Sequence, residues 1–149
     1  ISHPRDRFYA GMPIKAIIKS IDREHSRIYV SHKELLGTWE ENVSRFEIGQ
    51  TVAGTVRSIE PYGIFVELAP NLAGLAEYRE GVSVGQRAAV YIKNIIPEKM
   101  KVKLVLVDAY ATGQPMDYKF DYFDVGNHID SWVYSPAECE RRVMTVFEE

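Results

Sequence analysis

Between residues 49 and 108 apolar and polar positions alternate in short runs separated by Gly and Pro. Five short strands are predicted in about 60 residues, the density of a small barrel. In Ile64-Phe65-Val66-Glu67-Leu68 successive side chains point to opposite faces. Ile64, Val66 and Leu68 therefore form the core side, and Phe65 shares the wet side with Glu67. An aromatic ring on a wet face marks a candidate contact surface. Gly54, Gly63 and Gly74 lie where the strands of a small barrel bend, and are read as structural.

Residues 14–21 and 27–33 alternate on either side of a charged turn and predict a hairpin. A further hairpin is predicted around the turn signal Gly126-Asn127, from the aromatic-rich run at 118–124 and the alternation at 128–134. Two segments carry helical signals. Thr38 followed by Glu41 is a capping box, and Trp39, Val43 and Phe46 fall on one helical face. That spacing makes Trp39 a packing residue rather than a base-stacking one. Ser135-Pro136-Ala137-Glu138 has the order of a helix start, with Val143, Val146 and Phe147 as the apolar stripe of a C-terminal helix.

Composition changes this picture little, but charge changes it more. With 46% hydrophobic and 26% charged residues the chain is globular, and no apolar run has the length of a bilayer span. One cysteine, Cys139, cannot form an internal disulfide, which fits a reducing cytoplasm. The start, Ile1-Ser2-His3-Pro4, reads as the middle of a longer chain and the whole as its C-terminal fragment. The net charge of −3 is unevenly spread. Residues 1–48 hold eight Lys/Arg against seven Asp/Glu, residues 49–107 seven against five, and residues 108–149 three against nine. Attraction for phosphate must therefore come from local patches in the first two segments.

The succession Gly49-Gln50-Thr51-Val52-Ala53-Gly54-Thr55-Val56, Tyr62-Gly63-Ile64-Phe65-Val66-Glu67-Leu68, Gly74-Leu75, and two strands after Gly85 resembles the S1 RNA-binding domain family of OB-folds. Asp22, Arg27, Ser31 and Lys33 likewise resemble the end of another S1 repeat whose first three strands are missing. The resemblance implies a mostly β chain in four parts. Residues 1–36 would be the C-terminal half of a repeat, 37–48 a linker helix and 49–108 a complete barrel. Residues 109–149 would be an acidic tail with a hairpin and helix. The cut edge of the half repeat calls for a cover: the tail is the preferred one, a second copy is another, and a loose segment would leave the edge bare.

In S1 repeats RNA crosses the second and third strands, so the resemblance places base-stacking aromatics at Tyr62 and Phe65 and phosphate contacts at Lys93, Lys101 and Lys103. Several supporting positions depart from the family pattern. Glu77 stands where a histidine is usual, Lys101 replaces an arginine and Val105 a serine, and the acidic residue before the last strand is lost near Ile96 and Pro97. Lys99, Lys101 and Lys103 recur at strand spacing, as either a phosphate track or a solvated face. The implied partners are single-stranded RNA, mRNA in particular, and the ribosomal small subunit, in a tandem-repeat protein like ribosomal protein S1. The alternative is a protein-docking module that has lost RNA binding.

No catalytic constellation stands out, so neither an enzyme nor a cofactor is expected. Glu138 and Glu140 beside Cys139 disfavour a thiolate, and nucleophile elbows and phosphate-binding glycine loops are absent from the sequence. His25 and His32 read as surface residues. Asp121, Asp124, His128 and Asp130 cluster as oxygen and imidazole donors but match no metal-binding spacing, and read better as the polar face of a hairpin.

Overall fold

The computed structural model describes residues 4–110, 120, 122, 123, 125, 126 and 128–147. Five strands form a closed barrel: β3 (Thr51–Glu60), β4 (Gly63–Ala69), β5 (Leu72–Ala76), β6 (Arg87–Ile96) and β7 (Lys101–Tyr110). Around the barrel they run β3-β4-β5-β7-β6, antiparallel at every junction except the parallel pairing of β5 with β7. This is the OB-fold arrangement that the strand pattern predicts.

The core follows from the period-two alternation. Val56, Ile64, Val66, Leu72, Ala88, Val90, Ile92, Val102 and Leu104 are buried, while Lys101, Lys103 and Val105 of β7 point out. At the β5–β7 contact a Cβ on Gly74 would sit 2.6 Å from Leu104 Cδ1 and 2.9 Å from the Val102 carbonyl oxygen. Only glycine lets the two strands approach this closely.

An N-terminal hairpin, β1 (Ile17–Asp22) with β2 (Arg27–Ser31), stands outside the barrel. Its register repeats that of β6 and β7 position by position. Asp22 pairs with Arg27 as Ile96 does with Lys101, and Ile18 with Val30 as Ile92 does with Leu104. Both pairs slip at the same place, leaving Lys19 and Lys93 as the extra residues. Ser26 and Met100, the last turn residues, are both left-handed, at φ 54° and 51°. The outcome for the apolar face is opposite. Ile92 and Leu104 are core, whereas their counterparts Ile18 and Val30 are 55% and 60% exposed.

A 3₁₀ turn (Lys33–Leu36) leads to α1 (Trp39–Val43), shorter than the linker helix expected over 37–48. Its capping box forms as predicted: Glu41 N–H donates to Thr38 Oγ1 at 3.1 Å and Thr38 N–H to Glu41 Oε1 at 3.0 Å. Trp39 and Val43 are buried, and Trp39 N–H donates to the Tyr134 carbonyl at 3.0 Å. Gly37, at φ +94°, lies so close under the Phe123 ring that a Cβ would sit 2.6 Å from Phe123 Cε2, so this turn carries the docking of the tail.

The tail departs from expectation. Among the described residues no helix follows Ser135. Instead β8 (Ser131–Val133) pairs with β9 (Met144–Val146). The capping signal closes only one turn, from Cys139 N–H to the Pro136 carbonyl, while Ser135 Oγ accepts from Val143 N–H. Val143, Thr145 and Phe147 point inward at strand spacing, a period that outweighs the helical stripe. The hairpin expected around Gly126-Asn127 is corrected likewise. The strand after that turn pairs forward with β9, and Phe123 N–H donates to the Leu35 carbonyl. Residues 111–119, Asp121, Asp124 and Asn127 lie outside the described residues. Among the described residues no helix is long and apolar enough to cross a membrane.

The described tail meets the foot of the N-terminal hairpin and leaves much of its apolar face open. Lys15 N–H donates to Tyr122 Oη at 3.2 Å, and that hydroxyl lies 3.0 Å from His32 Nε2. Phe8 and Phe120 meet the His32 ring edge-on, each 4.8 Å away. His32 is thus half-buried in an aromatic cluster, not on the surface as the sequence suggests. Burial, then the charge of Arg7, lowers its pKa, which suits a neutral ring beside the tyrosine hydroxyl.

Candidate nucleic-acid interface

The closed barrel brings Tyr62, Phe65, Lys93, Lys101 and Lys103 to one cleft of about 510 Å³. Each is placed by a local feature. Tyr62 sits in the β3–β4 turn and is 68% exposed, and Phe65 points outward because Ile64 and Val66 point in. Their rings meet edge-on, 6.2 Å between centroids at 84°, a favourable quadrupole arrangement that leaves ring faces accessible. Lys93 is the extra residue of the β6 bulge, and Lys101 and Lys103 follow two apart on the outer face of β7. Lys99 does not join them: it closes a 3₁₀ turn before β7 begins and lies outside the lining of this cleft. The predicted stripe of three is therefore two lysines plus the bulged Lys93. Glu77 lines the same cleft and opposes their charge.

Phe65, Ala73 and Met100 also line a second, adjoining cleft of about 600 Å³. Arg57 Nε and Nη2 both reach Glu67 Oε2 at 2.7 Å, and Arg7 Nη2 lies 3.7 Å from Glu67 Oε1. Arg7 also donates to the Pro70 carbonyl. Asn71 Nδ2 donates to the Lys33 carbonyl at 2.6 Å and the Gly37 carbonyl at 2.9 Å, and the Tyr134 hydroxyl donates to the Asn71 carbonyl. Arg57 and Glu67 sit on neighbouring strands and are within reach of a register argument. Arg7, Lys33 and Tyr134 arrive from distant segments and carry no local signal.

Burial pushes the Tyr134 phenol up to about 12, from an ordinary value near 10. The folded state therefore holds this proton more tightly than the unfolded state. The stability it contributes is whole below pH ~10 and falls by about 1.4 kcal/mol per unit as pH rises towards 12. Urea midpoints over pH 9–12 are expected to fall less steeply in Tyr134→Phe than in the parent, and equal slopes would contradict this.

Two of the four proposed metal donors, Asp121 and Asp124, lie outside the described residues. The other two pair with each other, His128 Nε2 being 2.9 Å from Asp130 Oδ1. Among the described residues no group of three or more such side chains is placed to hold a metal ion.

No protein-family model matches the chain. It is 29% identical over 125 residues to the small ribosomal subunit protein bS1 of Chlamydia muridarum, covering 76% of this chain and 22% of that protein. The similarity to the small ribosomal subunit protein bS1 homolog of Bacillus subtilis is 29% over 152 residues, 99% of this chain and 38% of that one. A 4-hydroxy-3-methylbut-2-enyl diphosphate reductase of Clostridium tetani is 32% identical over 109 residues, 72% of this chain and 17% of the reductase. The chain thus spans well under half the length of each of these relatives.

Proposed function

We propose, from the premise that this chain carries an S1 RNA-binding domain of the OB-fold type, that it binds single-stranded RNA in translation as part of a ribosomal protein S1-like protein. Tyr62 and Phe65 stack bases, while Lys93, Lys101 and Lys103 take phosphates. The observation that carries the reading is the convergence of these five side chains, from a turn, a strand, a bulge and a second strand, on one open cleft. Stacking on two rings is tolerant of base identity, and three ammonium groups read charge alone. The domain is thus a weak, unselective binder that gains affinity from neighbouring repeats.

Similarity to small-subunit ribosomal proteins supports RNA and the ribosomal small subunit as partners and the cytoplasm as the place, and mRNA is the single-stranded RNA proposed for this chain. The reading assigns no reaction to this chain. The similarity to a reductase covers a small part of that enzyme and fits an S1 domain carried as an accessory.

The β1–β2 hairpin belongs to the same reading as the closing half of a second repeat. Its bulge, left-handed turn residue and register equal those of β6 and β7. On that basis residues 1–36 are part of one repeat, 37–48 the linker, 49–108 the complete repeat and 109–149 the tail.

The test is a salt series with a fluorescent oligo-uridine. For single strands each phosphate contact contributes about 0.7 to the slope of log K against log salt. Lys101→Ala combined with Lys103→Ala is expected to lower the slope by about 1.4 and weaken binding at low salt. An unchanged slope would contradict the phosphate roles.

A further inference from the structure

The second cleft adjoins the first, and Phe65, Ala73 and Met100 line both. We propose that the RNA strand continues past Phe65 into this cleft, and that Lys33, with the Arg7–Glu67–Arg57 group, binds the next phosphate. The inference rests on the RNA reading above and extends it to residues outside the barrel's complete repeat.

Continuity is the first support. Phe65, Ala73 and Met100 line both clefts, so a strand stacked on Phe65 has one unbroken surface to follow. Charge is the second. Arg7, Lys33 and Arg57 line the second cleft, and Glu67 is the carboxylate set among them. Cations outnumber anions here in a chain whose net charge is −3, and a low-dielectric wall concentrates that field on the cleft. The first cleft has Glu77 in the same opposing position, so the two are similarly balanced.

Order is the third support. Glu67 holds the Arg57 fork from the side, and the Arg7 and Arg57 side chains are only 12% and 16% accessible. Asn71 fastens the backbone at Lys33, and Tyr134 fastens Asn71. A phosphate arriving at Lys33 meets two guanidinium groups that Glu67 already holds in place, so little entropy is lost in ordering those two side chains. The cavity, about 600 Å³, is within the size range of small-ligand sites.

Lys33 is exposed and contributes only its backbone carbonyl to the fold contacts described above, so it can be changed without touching the core. Oligo-uridines of about four and about ten nucleotides are compared, the shorter filling the Tyr62–Phe65 cleft and the longer reaching beyond it. Lys33→Glu is expected to weaken the longer oligomer roughly five- to tenfold and to lower its salt slope by about 0.7. Binding of the shorter one is expected to stay unchanged. Lys33→Ala should give the same pattern, smaller, and thermal melts of both variants establish that the fold is kept.

If Lys33→Glu leaves affinity and slope for the longer oligomer unchanged while Phe65→Ala still weakens binding, the extension is overturned and the RNA reading stands. Equal weakening of both lengths also overturns it, since it would mean a general field effect. Failure of the parent to bind either oligomer overturns both readings.

Discussion

Phe65→Ala is expected to weaken single-stranded RNA binding by roughly 5- to 150-fold, the equivalent of one lost stacking contact of about 1–3 kcal/mol. The substitution isolates the contact because of where the ring stands. Ile64 and Val66 on either side face the core and are fully buried, whereas Phe65 turns out between two open clefts. Its recorded ring contact is the edge-on one with exposed Tyr62, so truncation opens no core cavity. Phe65→Leu is the matched control, keeping apolar bulk while removing the π face. Anisotropy titrations of the three proteins at one salt concentration read the effect. Equal affinities would show that the ring does not stack a base and would favour the docking alternative. Tyr62→Ala added to Phe65→Ala is expected to cost less than its separate effect, since the two rings orient each other.

Trp39→Ala is expected to lower the stability of the fold by about 3–5 kcal/mol, the usual result of emptying a buried aromatic site. Trp39 is 2% exposed and belongs to the barrel core cluster, although it lies in α1 outside the barrel strands. Its backbone N–H is bonded to Tyr134. The indole thus packs the linker onto the barrel, while the backbone N–H of the same residue holds the tail. For a chain of this size such a loss lowers the melting temperature by roughly 2–4 °C per kcal/mol. Urea unfolding of parent and variant measures it. A loss under about 1 kcal/mol would mean that Trp39 is not a core residue, and would reopen a stacking role for it.

What could be read from the sequence is what local periodicity controls. The alternation of Ile64 to Leu68 places Phe65 correctly, and the Thr38–Glu41 pair places the start of α1 to the residue. The tail shows where two local signals conflict. Ser135-Pro136 starts a turn that a helix might have extended, but Val143, Thr145 and Phe147 alternate, and pairing with β8 satisfies the backbone of β9. Lys99 was misplaced for a related reason, since spacing of two says nothing about where a strand begins. In the second cleft only the Arg57–Glu67 pair lies within reach of a register argument, since the two sit on neighbouring strands. Arg7, Lys33, Asn71 and Tyr134 join it through tertiary packing, and none of them carries a local signal for it.

The same limit applies to the N-terminal hairpin. Its apolar residues predict burial, yet Ile18, Ile28 and Val30 remain exposed because nothing among the described residues supplies the three strands that cover their counterparts in the barrel. Their exposure follows from the match of register with β6 and β7 as much as from the hairpin itself.

The most direct test of where RNA lies is ultraviolet crosslinking of the full chain to single-stranded RNA, with the linked peptides identified by mass spectrometry. Crosslinks are expected at Tyr62 and Phe65, reduced by competing unlabelled RNA and by high salt. Crosslinks confined to the tail hairpin, or none at protein concentrations that saturate binding, would contradict it.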